Sequence, residues 1–232
     1  MESPYDAIAD TADTAINICT EVSDWVAASQ YMSCIATIIH DLQKVSLVLI
    51  TADRTDMAKI DQLMLSDNFY DIERRAYDLL QLESPYSFSQ LSPEDVIDIT
   101  PTALLHVACC LTAIIYVSLA LREIPPRAGI FNPLLARLTT ILSGIDIFTA
   151  CTAYPKTMLW ILGTGGAAAS GREERVRYVK WLDDLCRARN IHAWDDMRIA
   201  ITSSIHLAPR FMVEFLDVWN DLEELRMMRE LD

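Results

Sequence analysis

Residues 155–171, PKTMLWILGTGGAAASG, decide between two folds. Gly163, Gly165 and Ala168 fit the G-x-G-x-x-A pattern of a dinucleotide-binding turn, and Asp183 lies about 20 residues further on, where an acid would hold the ribose. The other hypothesis is a helix whose small residues let a neighbouring helix approach closely. The first hypothesis implies a parallel sheet, and the second implies an all-helical protein.

The flanking residues favour the helix. A dinucleotide site needs a strand before the turn and a second parallel strand that ends at the acid. Asp183 and Asp184 instead fall within RVRYVKWLDDLCRAR, a segment with helical spacing of its apolar residues Val176, Val179, Leu182 and Leu185. Pro155 opens a segment that continues as one helix to Ala169. We therefore predict two packed helices over residues 154–190 and no nucleotide cofactor.

The rest of the chain carries further helix signals. A capping side chain precedes proline at Ser3-Pro4, Ser92-Pro93, Thr100-Pro101 and Asn132-Pro133, whereas Tyr154-Pro155 has the proline without a good cap. Apolar periodicity predicts helices over residues 8–26, 32–50, 56–65, 70–82, 101–122, 132–149, 155–169, 173–189, 194–207 and 210–230. Residues 83–95 are polar and predict a connecting loop or flap. The predicted fold is all-α, a single-domain irregular bundle of about nine to eleven helices over residues 1–232.

Charge and cysteine spacing exclude two kinds of site. The net charge is −14, and the first 43 residues hold seven acids and no Lys or Arg, a surface that would repel a phosphate backbone. The six cysteines include no C-x-x-C pair, so a structural zinc site is not expected. We predict buried free thiols in a reducing compartment, no metal and no direct nucleic-acid binding.

One segment is long enough to cross a bilayer. Residues 99–121 contain no charged side chain over 23 positions. Pro101, His106, Thr112 and Tyr116 weaken insertion, and a central helix surrounded by other helices has the same composition. We predict a core helix, no membrane span and an intracellular location, cytoplasmic or nuclear.

Residues 154–185, YPKTMLWILGTGGAAASGREERVRYVKWLDDL, carry a resemblance to a known family. They are similar to the C-terminal part of the regulatory (middle homology) region of fungal zinc-cluster transcription factors. The matching residues are Pro155, Leu159, Trp160, Gly165, Gly166, Ala168, Arg175, Val179, Leu182, Trp194 and Trp219, with Ala108, Tyr116, Leu121 and Pro125 upstream. The resemblance covers roughly residues 70–225.

The resemblance implies the effector-sensing part of a regulator. Those factors also carry an N-terminal cluster of six closely spaced cysteines that binds two zinc ions and DNA, whereas the cysteines here are dispersed. The implied function is a stand-alone, transcription-factor-like helical domain. It would bind an apolar small molecule, a protein partner or a second copy of itself.

An enzyme on the same scaffold is the alternative. A nucleophile elbow G-x-S-x-G is absent, so the hypothesis is a cofactor-independent cyclase, isomerase or pericyclase of specialised metabolism that uses an enclosed apolar pocket. The candidate catalytic residues are His106 and Tyr116, and the candidate ligand-binding residues are Cys109, Tyr116, Trp160 and Trp194. The same residue types suit an ordinary core. His40 and His106 both lie in apolar segments and are predicted to be core histidines.

Overall fold

The computed structural model describes residues 30–55, 62–82, 101–204 and 209–231. Regular structure in these ranges is helical, with no strand, which confirms the all-α prediction. Gly163 therefore lies within a helix and not at the end of a strand. The predicted helix over residues 8–26, the connector over 83–95 and the caps at Ser3-Pro4 and Ser92-Pro93 lie outside the described ranges.

The described residues form nine α-helices. They are α1 Gln30–Thr55, α2 Gln62–Leu82, α3 Pro101–Tyr116, α4 Phe131–Ser143, α5 Ile147–Ala153, α6 Pro155–Ala168, α7 Arg175–Arg189, α8 Trp194–Ser204 and α9 Pro209–Leu231. Helix α3 continues into one π-helical turn, Val117–Leu121, in which the Arg122 N–H donates to the Val117 carbonyl at 2.9 Å.

Two predicted helix boundaries are wrong for identifiable reasons. The described part of the first piece predicted over 56–65, residues 62–65, and the piece predicted over 70–82 belong to one helix from Gln62 onward, because Leu65 and Phe69 continue the buried face of α2 across the polar residues between them. Residues 56–61 lie outside the described ranges. The single helix predicted over 132–149 is two helices, α4 and α5, that meet at 90°. Asp146 caps α5, since its carboxylate accepts from the Thr149 N–H at 3.2 Å and from the Thr149 hydroxyl at 2.6 Å.

The proline signals have mixed outcomes in the described part of the chain. Helix α6 begins with Pro155 at its first turn and Tyr154 gives no side-chain cap, as predicted. Helix α4 begins before the predicted cap, at Phe131, and Asn132 does not cap it. The Asn132 side chain instead accepts a hydrogen bond from Arg172 Nε at 3.0 Å.

Helices α3 and α6 are the centre of the bundle. Helix α6 packs against α3, α4, α5, α7, α8 and α9, and its side chains from Thr157 to Ala168 are all buried. Helix α3 packs against α1, α2, α4 and α6. The segment Thr102–Leu121 is long and apolar enough for a membrane span, but residues 104–121 are all buried inside the protein, as in the core helix of a bundle.

The glycines of α6 allow this packing. A Cβ atom added at Gly163 would lie 2.6 Å from Phe215 Cε2, and one added at Gly165 would lie 2.3 Å from Tyr178 Cε1. At Gly166 the nearest atom would be Val218 Cγ1, at 3.1 Å. The small residues therefore contact protein side chains on α7 and α9, which confirms the close-packing hypothesis.

Arg172 joins the end of α6 to the loop between the π-helical turn and α4. Its Nη1 donates to the carbonyls of Pro126, at 2.5 Å, and Ala168, at 2.9 Å, while Nη2 donates to the Ala128 carbonyl at 2.9 Å. Together with the bond from Nε to Asn132, four hydrogen bonds radiate from one guanidinium group. Lysine has neither the planar fork nor enough donors in those directions to replace it.

We therefore expect Arg172→Lys to destabilise the fold by about 2 kcal/mol, the scale of losing hydrogen bonds to a charged group. The effect should be local as well as global. Amide hydrogen exchange should quicken between Arg122 and Phe131, which urea denaturation and exchange mass spectrometry together would measure. The matched control is Arg177→Lys, on the exposed side of α7. Equal effects of both substitutions would show that the Arg172 hydrogen bonds contribute nothing.

Candidate functional site

The predicted site residues lie on three helices in the interior. His106, Cys109 and Tyr116 are buried on α3, and Trp160 is fully buried on α6. Trp194, at the start of α8, is half-buried and packs against the core. Four of the five predicted residues are therefore buried, and Trp194 lies at the edge of the core.

Ring contacts join two of these residues through the C-terminal helix. The Tyr116 ring centroid lies 5.3 Å from that of Phe211, which stacks on Phe215 at 6.0 Å. The Trp194 ring is 6.0 Å from Phe215 and 6.1 Å from Trp219. We call these five residues, Tyr116, Trp194, Phe211, Phe215 and Trp219, the aromatic cluster. Three of the five are on α9.

The polar tips of Tyr116 and Trp219, in the aromatic cluster, form hydrogen bonds with protein groups. The Tyr116 hydroxyl is 3.1 Å from the Ser46 hydroxyl on α1, and both are buried. Trp219 Nε1–H donates to Glu223 Oε1 at 2.8 Å, and the Arg226 guanidinium lies 5.3 Å from the Trp219 ring centroid. Tyr116 therefore ties α1 to α3 as well as facing α9.

Phe211 and Phe215 were not predicted as site residues. Their signal is a spacing of four, since Phe211, Phe215 and Trp219 fall on one face of a helix. That spacing predicts a buried face on α9. It gives no indication that the face meets Tyr116, which is about 100 residues earlier in the chain.

Ion pairs fix α9 against α7. The fully buried Asp183 carboxylate accepts from Arg226 Nε at 2.9 Å, and also from Arg187 Nη2 and Arg229 Nη1. Three arginines thus surround one carboxylate, two of them on α9. The burial of the neighbouring Asp184, beside the negative charge of Asp183, raises the pKa of Asp184.

A second pair acts at the other end of the same interface. Arg175 Nε donates to Asp221 Oδ2 at 2.6 Å, and Arg175 Nη1 donates to the Gly166 carbonyl at 2.7 Å. Gly166 is in the last turn of α6, and its carbonyl also accepts from the Ala169 N–H at 3.2 Å. Arg175 therefore connects α6, α7 and α9.

The two histidines that were predicted to lie in the core differ in burial. His106 is buried, as predicted, whereas the prediction for His40 is wrong because that residue is exposed. In α1 the neighbours Ile38, Ile39 and Leu42 take the buried face, so His40 falls on the opposite side. In the described ranges, no group of three or more His, Cys, Asp or Glu side chains is placed to hold a metal ion.

Four of the six cysteines are buried thiols that form no disulfide, as predicted: Cys109, Cys110, Cys151 and Cys186. Burial raises the pKa of Cys151 and of Cys186 to about 12, so both stay protonated near neutral pH. Cys34 is exposed, contrary to the prediction, and Cys19 lies outside the described residues.

Two surface clefts lie away from the predicted residues. One, of about 510 Å³, is between α4 and the start of α7, and its charged lining residues are Glu173, Glu174, Arg177 and Lys180. The other, of about 310 Å³, is between α1 and α2 and is bordered by Asp41, Lys44, Asp71 and Arg75. Both carry mixed charge, and neither is lined by His106, Cys109, Tyr116, Trp160 or Trp194.

Comparison with known proteins identifies the family. The family model of the fungal specific transcription factor domain matches residues 10–202, which includes α1 to α7 and most of α8. Neither the curated proteins nor the solved structures give a significant match. The family match covers most of the chain and confirms the resemblance carried by residues 154–185. The chain therefore belongs to the family defined by the fungal specific transcription factor domain.

Proposed function

We propose that this chain is a ligand-responsive regulatory domain and that its ligand is an uncharged apolar small molecule bound at the aromatic cluster. The observation that carries the proposal is the meeting of Tyr116 and Trp194 with Phe211 and Phe215 of α9 in one set of ring contacts. Helix α6 adjoins the same set, since Gly163 faces the Phe215 ring. Membership of the family supports a regulatory role inside the cell, in the cytoplasm or nucleus.

The chemistry of the cluster favours a neutral ligand. Phe211, Phe215 and Tyr116 are fully buried, and burial of an unpaired charge among them would cost several kcal/mol. Aromatic rings instead offer large apolar contact areas with defined geometry. Cys109 and Trp160 lie on the two helices, α3 and α6, that pack together beside α9, and they complete the predicted ligand-binding set.

Helix α9 is the element that would respond. It provides three of the five rings of the aromatic cluster. Near its C-terminal end, Arg226 and Arg229 form ion pairs with Asp183. A molecule inserted between α3 and α9 must move the Phe211 and Phe215 rings. Because the same helix bears the ion pairs, such a movement would change the exposure of the α9 surface to a partner protein.

The proposal predicts that Phe215→Leu weakens ligand binding about tenfold, which corresponds to about 1.4 kcal/mol. The measurement is Trp fluorescence titration of the protein with neutral apolar ketones and lactones, alongside hydrogen exchange of α9. Phe148→Leu is the matched control, because Phe148 is 66% exposed. Equal affinity in the two variants, or binding without any change in α9 exchange, would contradict the proposal.

The same titrations test the catalytic alternative. Conversion of an added compound without metal or nucleotide would favour a cyclase or isomerase over a sensor. His106→Ala and Tyr116→Phe should then change the rate of conversion. Binding without conversion would leave the regulatory role as the function, with a protein partner as the recipient of the α9 response.

A further inference from the structure

Three side chains with hydrogen-bonding groups lie along one face of helix α6. Thr157, Trp160 and Thr164 are spaced by three and four residues, so they share one face, and all three are fully buried. Gly165 and Gly166 point to Tyr178 and Val218 on α7 and α9. At about 100° per residue, the face with Trp160 and Thr164 is turned away from both of those contacts.

Two atoms on this face have no hydrogen-bond partner among the residues that the structure describes. They are Trp160 Nε1, which can only donate, and Thr164 Oγ1, which can donate and accept. Buried polar groups in folded proteins are nearly always hydrogen-bonded, because an unbonded one keeps its full desolvation cost. Trp219 follows that rule through its bond to Glu223.

The Thr164 hydroxyl also lacks a hydrogen bond that several other helical threonines in this protein make to the carbonyl four residues earlier. Thr112 donates to the Ala108 carbonyl at 2.7 Å, Thr152 to the Phe148 carbonyl at 3.0 Å, and Thr202 to the Arg198 carbonyl at 2.7 Å. The corresponding bond from Thr164 would go to the carbonyl of Trp160, and it is not made. Its hydroxyl is therefore left for a partner other than the backbone of its own helix.

We propose that this face of α6 is a binding site for one neutral oxygen-bearing group, which accepts from Trp160 Nε1–H and exchanges a hydrogen bond with Thr164. An internal water molecule supplies that chemistry in the protein alone. The carbonyl oxygen of a small apolar molecule supplies the same chemistry when such a molecule is bound. The water site is independent of the proposed regulatory function, whereas the carbonyl form rests on that function.

The first test is the sign of the stability change in Thr164→Val. Valine has the shape of threonine without the hydroxyl, so loss of a bound oxygen partner should lower the Tm by about 3 °C. Thr112→Val is the control, since Thr112 is equally buried but bonds to its own helix, and its Tm should change less. A raised Tm in Thr164→Val would show that the hydroxyl had no partner and would overturn the site.

The second test observes the indole proton of Trp160 by NMR of protein labelled with ¹⁵N-tryptophan. Its signal is assigned by elimination, with single phenylalanine substitutions at Trp25, Trp181, Trp194 and Trp219. A cross peak between that proton and water identifies an internal water molecule. Its absence, together with an indole shift typical of an unbonded N–H, would overturn the proposal.

Cyclohexanone then separates the two sources of oxygen, with methylenecyclohexane as a probe of the same shape that lacks the acceptor. Loss of the water cross peak and a changed indole shift with cyclohexanone alone would assign the oxygen to the ligand. A cross peak that persists with both probes would assign it to water. Failure of the regulatory proposal would show instead as unchanged α9 hydrogen exchange, which this measurement does not use.

Discussion

Replacement of Gly165 by alanine should destabilise the protein by about 2 kcal/mol, although alanine is the better helix former. Helix propensity alone favours the change by about 1 kcal/mol. The new Cβ, however, would lie 2.3 Å from Tyr178 Cε1 and 2.8 Å from Tyr178 Cζ. Overpacking of this kind costs about 1–3 kcal/mol, and the short distances place this site at the upper end.

Tyr178 cannot move aside at low cost. Its ring is fully buried and meets Trp181 edge-on at 5.6 Å, and its hydroxyl is 3.1 Å from the Thr139 hydroxyl. Displacement of the ring would break these contacts and separate α6 from α7. We therefore expect a fall in Tm of roughly 4–8 °C for Gly165→Ala, measured by calorimetry.

Gly129→Ala is the matched control, because no atom lies within 4 Å of a Cβ built there. A second arm combines Gly165→Ala with Tyr178→Leu. If the clash causes the loss, the double variant should lose less stability than the sum of the two single variants. Strict additivity, or equal effects at Gly129 and Gly165, would contradict the explanation.

Replacement of Asp183 by asparagine should cost about 3 kcal/mol. Asparagine keeps the shape but removes the charge that three arginines share, and loss of one partner from a buried ion pair costs about 3–5 kcal/mol. The lower end applies because the Arg187 and Arg229 side chains remain 56% and 44% exposed and can be hydrated again. The expected fall in Tm is roughly 6–12 °C.

The loss should persist in 1 M NaCl, since salt screens exposed pairs far more than buried ones. Asp195→Asn provides the comparison, because the Asp195 side chain is 79% exposed and 3.4 Å from Arg198, and its Tm should change by less than about 2 °C. Urea denaturation of both variants at low and high salt measures the difference. A small effect of Asp183→Asn, or one abolished by salt, would mean that the network does not hold α9.

The sequence predicted helix α6 correctly because its start and its close packing depend on residues near one another in the chain. Pro155 at the first turn of α6 and the small residues after Trp160 both depend on neighbours within the same or the adjacent helix. The polar run between Leu65 and Phe69 misled the prediction of α2, because burial of one face outweighed the intrinsic preferences of Ser, Asp and Asn.

Long-range partners could not be predicted in the same way. The spacing of Asp183 from Gly163 fits an acid that would bind a ribose. In the structure the groups around Asp183 are arginines, two of them more than 40 residues later in the chain. Spacing along one helix identifies which side is buried but not which helix covers it. Tyr116 is buried and Trp194 is half-buried, and their connection through Phe211 and Phe215 required the packed structure.

Helix α9 lies beyond residue 202, the last residue that the family model matches, yet it supplies two arginines to Asp183 and the rings that cover Gly163. The segment that the family model matches is thus smaller than the set of helices that pack together around Asp183 and Gly163. A protein cut at the edge of the match would place an ionised carboxylate and bare glycine backbone at its new surface.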